Sequence, residues 1–208
     1  TVFDSEGSTT LSAIAYDQNA QKVVIAYKDG YNGKGTAVVG TVSGTSISFG
    51  TKVVFDASNV GGISIAYDPD SQKVVIAYAD LGSSNFGTSL VGTVSGTSIS
   101  YGTAVVFESA AVLSTTTSYD TVNNKIVISY ADNGNSNHGT AIVGTVSGTS
   151  ISYGTAVVFE AAGINSNISS SFHTAAGKVV IAYADVDNST FGNAIVGTVS
   201  GTSISFET

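Results

Sequence analysis

Thr41-Val42-Ser43-Gly44-Thr45-Ser46-Ile47-Ser48 returns three more times, beginning at Thr93, Thr145 and Thr198, at spacings of 52, 52 and 53 residues. An aromatic follows each copy: Phe49, Tyr101, Tyr153 and Phe206. A second marker, Lys-(Val/Ile)-Val-Ile-(Ala/Ser)-Tyr, starts at Lys22, Lys73, Lys125 and Lys178. A third is Phe3, Phe55, Phe107 and Phe159, 52 residues apart each time. The 208 residues are therefore four tandem copies of one unit, and the unit, not the chain, is what has to be read.

In the second copy, Ile63 to Tyr67 alternates apolar and polar and is rich in β-branched residues, as a strand requires. Asp68-Pro69-Asp70-Ser71 is a turn, because proline fixes φ and aspartate bonds its own backbone. Lys73 to Tyr78 is apolar on both faces and predicts a buried second strand. Asp80 to Gly87 is a polar loop, Thr88 to Val94 a third strand, and Ser95-Gly96-Thr97 a tight turn. Ile99 to Phe107 is a fourth strand, kinked at Gly102. No segment carries a helical period. Four short antiparallel strands in a unit of about 52 residues match one blade of a β-propeller. An immunoglobulin-type sandwich needs ~100 residues per unit, and a β-solenoid rung is shorter.

The expectation is an all-β, four-bladed β-propeller forming one domain over 1–208, with blades at about 5–56, 57–108, 109–160 and 161–208 plus 1–4. Val2-Phe3-Asp4 matches Val54-Phe55-Asp56, and the chain stops at Phe206-Glu207-Thr208, where the next Val-Val-Phe is due. The N-terminal segment is thus expected to pair with the last blade and close the ring, leaving no open edge. The competing arrangements are a piece of a larger ring and a ring shared by two chains.

Composition excludes whole classes of function. Fifteen acids face seven lysines and no arginine, for a net charge of −8, so a nucleic-acid partner is not expected. No apolar run reaches the ~18 residues of a membrane helix. The absence of cysteine removes disulfides, thiolate catalysis and Cys-based zinc sites. His138 and His173, the two histidines, have no partner at ligand spacing. No P-loop, dinucleotide fingerprint or catalytic triad recurs. Asn167-Ile168-Ser169 and Asn188-Ser189-Thr190 fit the glycosylation sequon. No initiator methionine or signal peptide is present, so the chain is expected to be processed or part of something longer.

Ile65-Ala66-Tyr67-Asp68-Pro69-Asp70, Lys73-Val74-Val75-Ile76-Ala77-Tyr78-Ala79-Asp80 and Tyr101-Gly102-Thr103-Ala104-Val105-Val106-Phe107 stand in the order of a sialidase-type, or Asp-box, propeller blade, which the unit resembles along its whole length. The box itself is replaced: Val94, Gly96, Ser98 and Tyr101 stand where that family has Ser, Asp, Gly and Trp. Sialidase chemistry needs an arginine cluster for the substrate carboxylate, and with no arginine the resemblance implies a fold and not that activity. The near-identical tandem units are also loosely similar to Gly/Thr/Ser-rich repeats of uncharacterised virion and adhesion proteins of marine bacteriophages and bacteria.

Propeller topology places the strand 1–2 and 3–4 turns on one face, and the strand 2–3 loops and the crossovers on the other. The first face never changes length between copies. On the second, Phe3 to Tyr16 and Phe159 to Phe172 span 13 residues where the middle copies span 12, and Tyr27 to Gly35 spans eight where the others span nine. Function sits on loops held by a rigid scaffold, so the second face is the candidate; drift in unconstrained loops is the plainer account. Eight acids recur there: Asp4, Asp56, Glu108 and Glu160 at the start of the crossover, and Asp29, Asp80, Asp132 and Asp185 at the start of the 2–3 loop. Carboxylates are hard ligands suited to calcium, although solvated turn residues give the same pattern. Tyr31, Phe86, His138 and Phe191 lie in the 2–3 loops with Asn85, Asn137 and Asn188. An aromatic beside an amide is how sugars are held, the ring against the pyranose and the amide on its hydroxyls. The alternative is that Phe86, His138 and Phe191 plug the blade interface.

Three functions fit. The first is a non-enzymatic, lectin-like module on a virion or cell surface, whose repeated weak sites bind surface glycans with avidity. The second is a structural spacer or engineered scaffold without ligand. The third, an enzyme of glycoside-hydrolase type using a carboxylate pair, sits poorly with four equivalent copies, since catalysis needs one asymmetric constellation. A monomeric ring, or part of a larger assembly, accompanies each.

Overall fold

A computed structural model describes residues 1–207; Thr208, in the fourth repeat, lies outside the described residues. The chain is all-β, with sixteen strands, two single-turn 3-10 segments at Leu81–Ser83 and Asn133–Asn135, and no α-helix among the described residues. The first unit runs β1 (Ser12–Asp17), β2 (Lys22–Lys28), β3 (Lys34–Ser43) and β4 (Ser46–Phe49), paired antiparallel in that order. β5 (Val53–Asp68) belongs to two units. Its first half continues β4 along the edge of β3, with Ala37↔Val53 and Gly35↔Asp56 in register. Its second half is the first strand of the next unit, paired with β6 (Lys73–Asp80).

The pattern then repeats. β7 (Phe86–Ser95), β8 (Ser98–Tyr101) and β9 (Val105–Asp120) complete the second unit and begin the third, followed by β10 (Lys125–Asp132), β11 (His138–Ser147), β12 (Ser150–Tyr153) and β13 (Val157–His173). β14 (Lys178–Asp185), β15 (Phe191–Ser200) and β16 (Ser203–Phe206) end the chain. The crossovers expected as loops are thus continuous strand, bent by register shifts between Gly61 and Ser64 and at the matching places of β9 and β13.

Local chemistry explains the breaks. Gly44, Gly96, Gly148 and Gly201 take left-handed φ values near +60° between the third and fourth strands of each unit. The strand expected over Ile99 to Phe107 is broken at Gly102, since β8 ends at Tyr101 and β9 begins at Val105. The Gly102 N–H bonds to Val91 O, and its missing Cβ lets the chain pass against the Thr149 carbonyl. The 1–2 turns are locked by buried carboxylates: Asp68 accepts the Asp70 and Ser71 N–H groups, and Asp120 those of Val122 and Asn123. His173 replaces the aspartate in the fourth unit and does the same work, its Nδ1 accepting the Ala176 N–H at 3.0 Å.

Each of the three hydrophobic cores straddles two successive units. Val24, Ala26, Ala37 and Val39 of the first unit pack against Val74, Ile76, Leu90 and Ile99 of the second. Val75, Ala77 and Val91 pack against Ile126, Ile128, Ile142 and Ile151, and Val127, Ala141 and Val143 against Val179, Ile181 and Ile204. A unit therefore has a small-residue face and a large-residue face, and the small face of one takes the large face of the next. Hydroxyls tie the first strands together: Ser64 Oγ lies 2.8 Å from Thr115 Oγ1 and 2.6 Å from Thr117 Oγ1, and Thr116 Oγ1 lies 3.1 Å from Ser170 Oγ.

The ring is not closed by the N-terminal segment. The strand path is open from β1 to β16, and residues 1–11 form no strand. Phe3 packs edge-on to Tyr27 and Phe49 with ring centroids 5.1 and 5.9 Å away, as Phe55 packs on Tyr78 and Tyr101, but with no β15 against it. Lys52 reinforces that placement through ion pairs to Asp4 (3.0 Å) and Glu6 (2.9 Å). Among the described residues, none lies within 4 Å of a Cβ built at Gly192, where Phe55, Phe107 and Phe159 fill the matching space at Gly35, Gly87 and Gly139.

Candidate functional site

The 2–3 turns and the crossovers do lie together. Val60, Val112 and Ile164 donate their N–H groups to the carbonyls of Gly33, Asn85 and Asn137. The eight acids at this end each serve their own turn. Asp29 accepts the Tyr31 N–H and the Asn32 amide, Asp80 the Gly82 N–H, Asp132 the Asn135 N–H, and Asp185 the Asp187 and Asn188 N–H groups and the Asn193 amide. At the crossovers, Asp4, Asp56, Glu108 and Glu160 accept the N–H groups of Glu6, Ser58, Ala110 and Ala162. Among the described residues, no three acidic or histidine side chains come close enough together to hold a metal ion.

The crossover acids have a second task that sequence reasoning missed. Tyr130 donates its hydroxyl to Glu108 (3.1 Å) and Tyr183 to Glu160 (2.9 Å). Burial first, and the adjoining Asp4, Asp56 or Glu108 charge second, raise the phenols of Tyr27, Tyr78 and Tyr130. Burial and the bond to Glu160 push Tyr183 up to about 12. Burial, then the Glu108 charge, also raises the Asp132 carboxyl. In Asp4 burial is outweighed by the Glu6 N–H and by Lys52, which hold the carboxyl below its ordinary value. The repeated spacing of acid and Lys-Val-Val-Ile-Ala-Tyr was the available signal, since both residues recur in every unit.

The loop aromatics are not one constellation. Tyr31 is 78% exposed in the first unit and Phe191 61% exposed in the fourth. Phe86 and His138 open β7 and β11 half-buried, in register with Ala111 and Gly163 of the crossovers. Asn85 and Asn137 sit at φ near +60° as turn residues, and the Asn137 Oδ1 accepts the Asn133 amide. Thr190, not Asn188, takes the matching place before Phe191 in the fourth unit, with φ +59°.

The other end of the molecule holds a cavity of about 400 Å³ to which all four units contribute. Its walls carry Tyr16, Tyr67, Tyr119 and Phe172, the last aromatic of each unit's first strand, with Thr117, Ser118, Ser170 and Ser171 between them. Strand alternation places these rings. In β1, β5 and β9 the ring immediately precedes the turn aspartate, and in β13 it precedes His173. Tyr16 is 53% exposed. The Tyr67 hydroxyl accepts the Asn19 N–H at 3.2 Å, and the Tyr119 hydroxyl donates to Asn124 Oδ1 at 3.2 Å. Burial first, and neighbouring carboxylates next, raise both phenols, so they stay protonated at neutral pH. Ser118 Oγ is buried with no protein partner. The cavity offers aromatic faces and hydroxyls, of which Thr117 Oγ1 and Ser170 Oγ are already paired with Ser64 and Thr116, and no charged side chain lines it among the described residues.

The sequence reading used these aromatics only as spacing markers and placed function at the opposite end. Their recurrence next to the last position of each first strand, before the turn, was the signal for a shared ring set. No known family model matches this chain, and no match was found among curated proteins. No helix among the described residues is long and apolar enough to cross a membrane.

Proposed function

We propose that the protein is a non-enzymatic recognition module, its units arranged as propeller-type blades, that takes a neutral glycan in the cavity between the 1–2 turns. The propeller reading rests on the handing of one unit's outer strand into the next unit's first strand, and on the face-to-face packing of successive units. The glycan reading rests on one observation: three tyrosines and a phenylalanine from four units line one cavity with serine and threonine hydroxyls. Aromatic rings take the apolar face of a pyranose, and hydroxyls and phenols take its polar edge. A volume of about 400 Å³ suits one or two sugar rings. An extracellular or virion-surface setting accompanies this reading.

The test is a glycan array followed by calorimetry with the best ligand. The wild-type chain should bind one neutral glycan class. Tyr16→Ala should weaken it roughly threefold to tenfold, the worth of one ring contact. Tyr31→Ala, at the other end, should leave it unchanged. Absence of binding across the array, or binding indifferent to Tyr16, contradicts the proposal. It would favour a purely structural scaffold, which the continuous apolar cores between units support.

A further inference from the structure

The two outermost faces of the molecule are halves of an interface the chain already builds three times. In the third unit, Val127, Ser129, Ala141 and Val143 are fully buried against the fourth unit, and the matching residues of the first two units are equally buried. Their counterparts in the fourth unit are Val180, Ala182, Ala194 and Val196. Val180 is half-buried, Ala182 and Ala194 are exposed, and Val196 is 47% exposed. β15 alternates between exposed and covered positions where β3, β7 and β11 are buried throughout their centres. At the other extreme, the first unit shows an uncovered large-residue face. Ile14 is 62% exposed where Ile65 is buried, and Val23, Ile25 and Ile47 are half-buried where Val74, Ile76 and Ile99 are buried.

We propose that the small-residue face of the fourth unit binds the large-residue face of the first unit of a second copy of this chain. The occupant follows from continuity. The surface that covers each internal small-residue face is a unit of this same sequence, in the same register. A specific socket adds to it. No described residue fills the space beside Gly192, and Phe3 already stands on Tyr27 and Phe49 as Phe55 stands on Tyr78 and Tyr101. Docking in the internal register places Phe3 of the incoming copy over Gly192, with Val2 and Asp4 along the free edge of β15 as Val54 and Asp56 lie along β3. Strand addition of this kind satisfies the edge's unpaired backbone groups. The contact is heterologous, so it closes into a ring of copies or continues as a chain.

The test is mass measurement by light scattering at about 100 µM, where a micromolar association is saturated. Wild type should give a multiple of 20.9 kDa. Val196→Lys and Ile14→Lys, both at exposed positions, should each give a folded monomer, with the circular dichroism spectrum as the check on folding. An equimolar mixture should form a dimer that grows no further, because each variant keeps one intact face. A monomeric wild type overturns the proposal. So does a mixture that stays monomeric, or a Val196→Lys variant that still self-associates, since that association would be symmetric.

Discussion

Replacing Gly87 by alanine tests whether the repeated phenylalanine is a structural key. A Cβ built at Gly87 meets Phe107 Cε2 at 2.5 Å, Phe107 Cζ at 2.7 Å and Glu108 Cβ at 3.0 Å. The ring cannot swing away freely, because it is held against Tyr130 and Tyr153 with centroids 5.2 and 5.9 Å distant. Overpacking of this kind costs about 1–3 kcal/mol. The backbone at Gly87 is not left-handed, so the substitution also lowers the entropy of the unfolded chain, a gain of about 0.4–1 kcal/mol. The net is a loss of about 1–2 kcal/mol. With a urea slope of about 2 kcal/mol/M, the midpoint falls by about 0.5–1 M. Gly192→Ala is the internal control. It meets nothing within 4 Å and should show only the gain. Both substitutions belong in the Val196→Lys background, which keeps the last face uncovered, with urea unfolding followed by circular dichroism. Equal effects at the two glycines, or a neutral Gly87→Ala, would refute the keyed arrangement.

Asp120→Ala removes the acceptor of the Val122 and Asn123 N–H groups and of the Asn123 amide, and should cost about 2 kcal/mol in urea unfolding. Tyr183 has a folded pKa of about 12 against an ordinary ~10. Its contribution is therefore complete below pH ~10 and lost as pH rises through 12. The thermal midpoint should fall over that window, less steeply in Tyr183→Phe. Because the acids at the 2–3 turns are committed to their own backbones, saturating calcium or chelator should leave the thermal midpoint unchanged; a rise of several degrees with calcium would contradict that assignment.

The unit was legible because its signals are local. The Lys73–Tyr78 run is β6, fully buried from Val74 to Ala79, and Thr88–Val94 lies within β7. The Asp68 turn and the Gly102 break likewise depend on one residue each. Ring closure was not legible, because it depends on the curvature accumulated over four units, which no local pattern states. Val2-Phe3-Asp4 reads the same whether or not β15 lies against it, and Lys52, unique to the first unit, ties Asp4 and Glu6 to that unit. The cavity was not legible for a related reason. Loop-length variation marks where the chain tolerates change, whereas the cavity is made by Tyr16, Tyr67, Tyr119 and Phe172 at positions of constant length. The recurring acids pointed to an ion, yet each finds its hydrogen-bond donors within its own turn, as short polar side chains readily do.

The most direct test of the account is a heteronuclear NMR titration of the chain with the glycan selected by array. Shift changes should be confined to the strand ends around Tyr16, Tyr67, Tyr119 and Phe172 and the Ser118 and Ser170–Ser171 amides. Changes centred instead on Tyr31, Phe86, His138 and Phe191 would place recognition at the opposite end and contradict it.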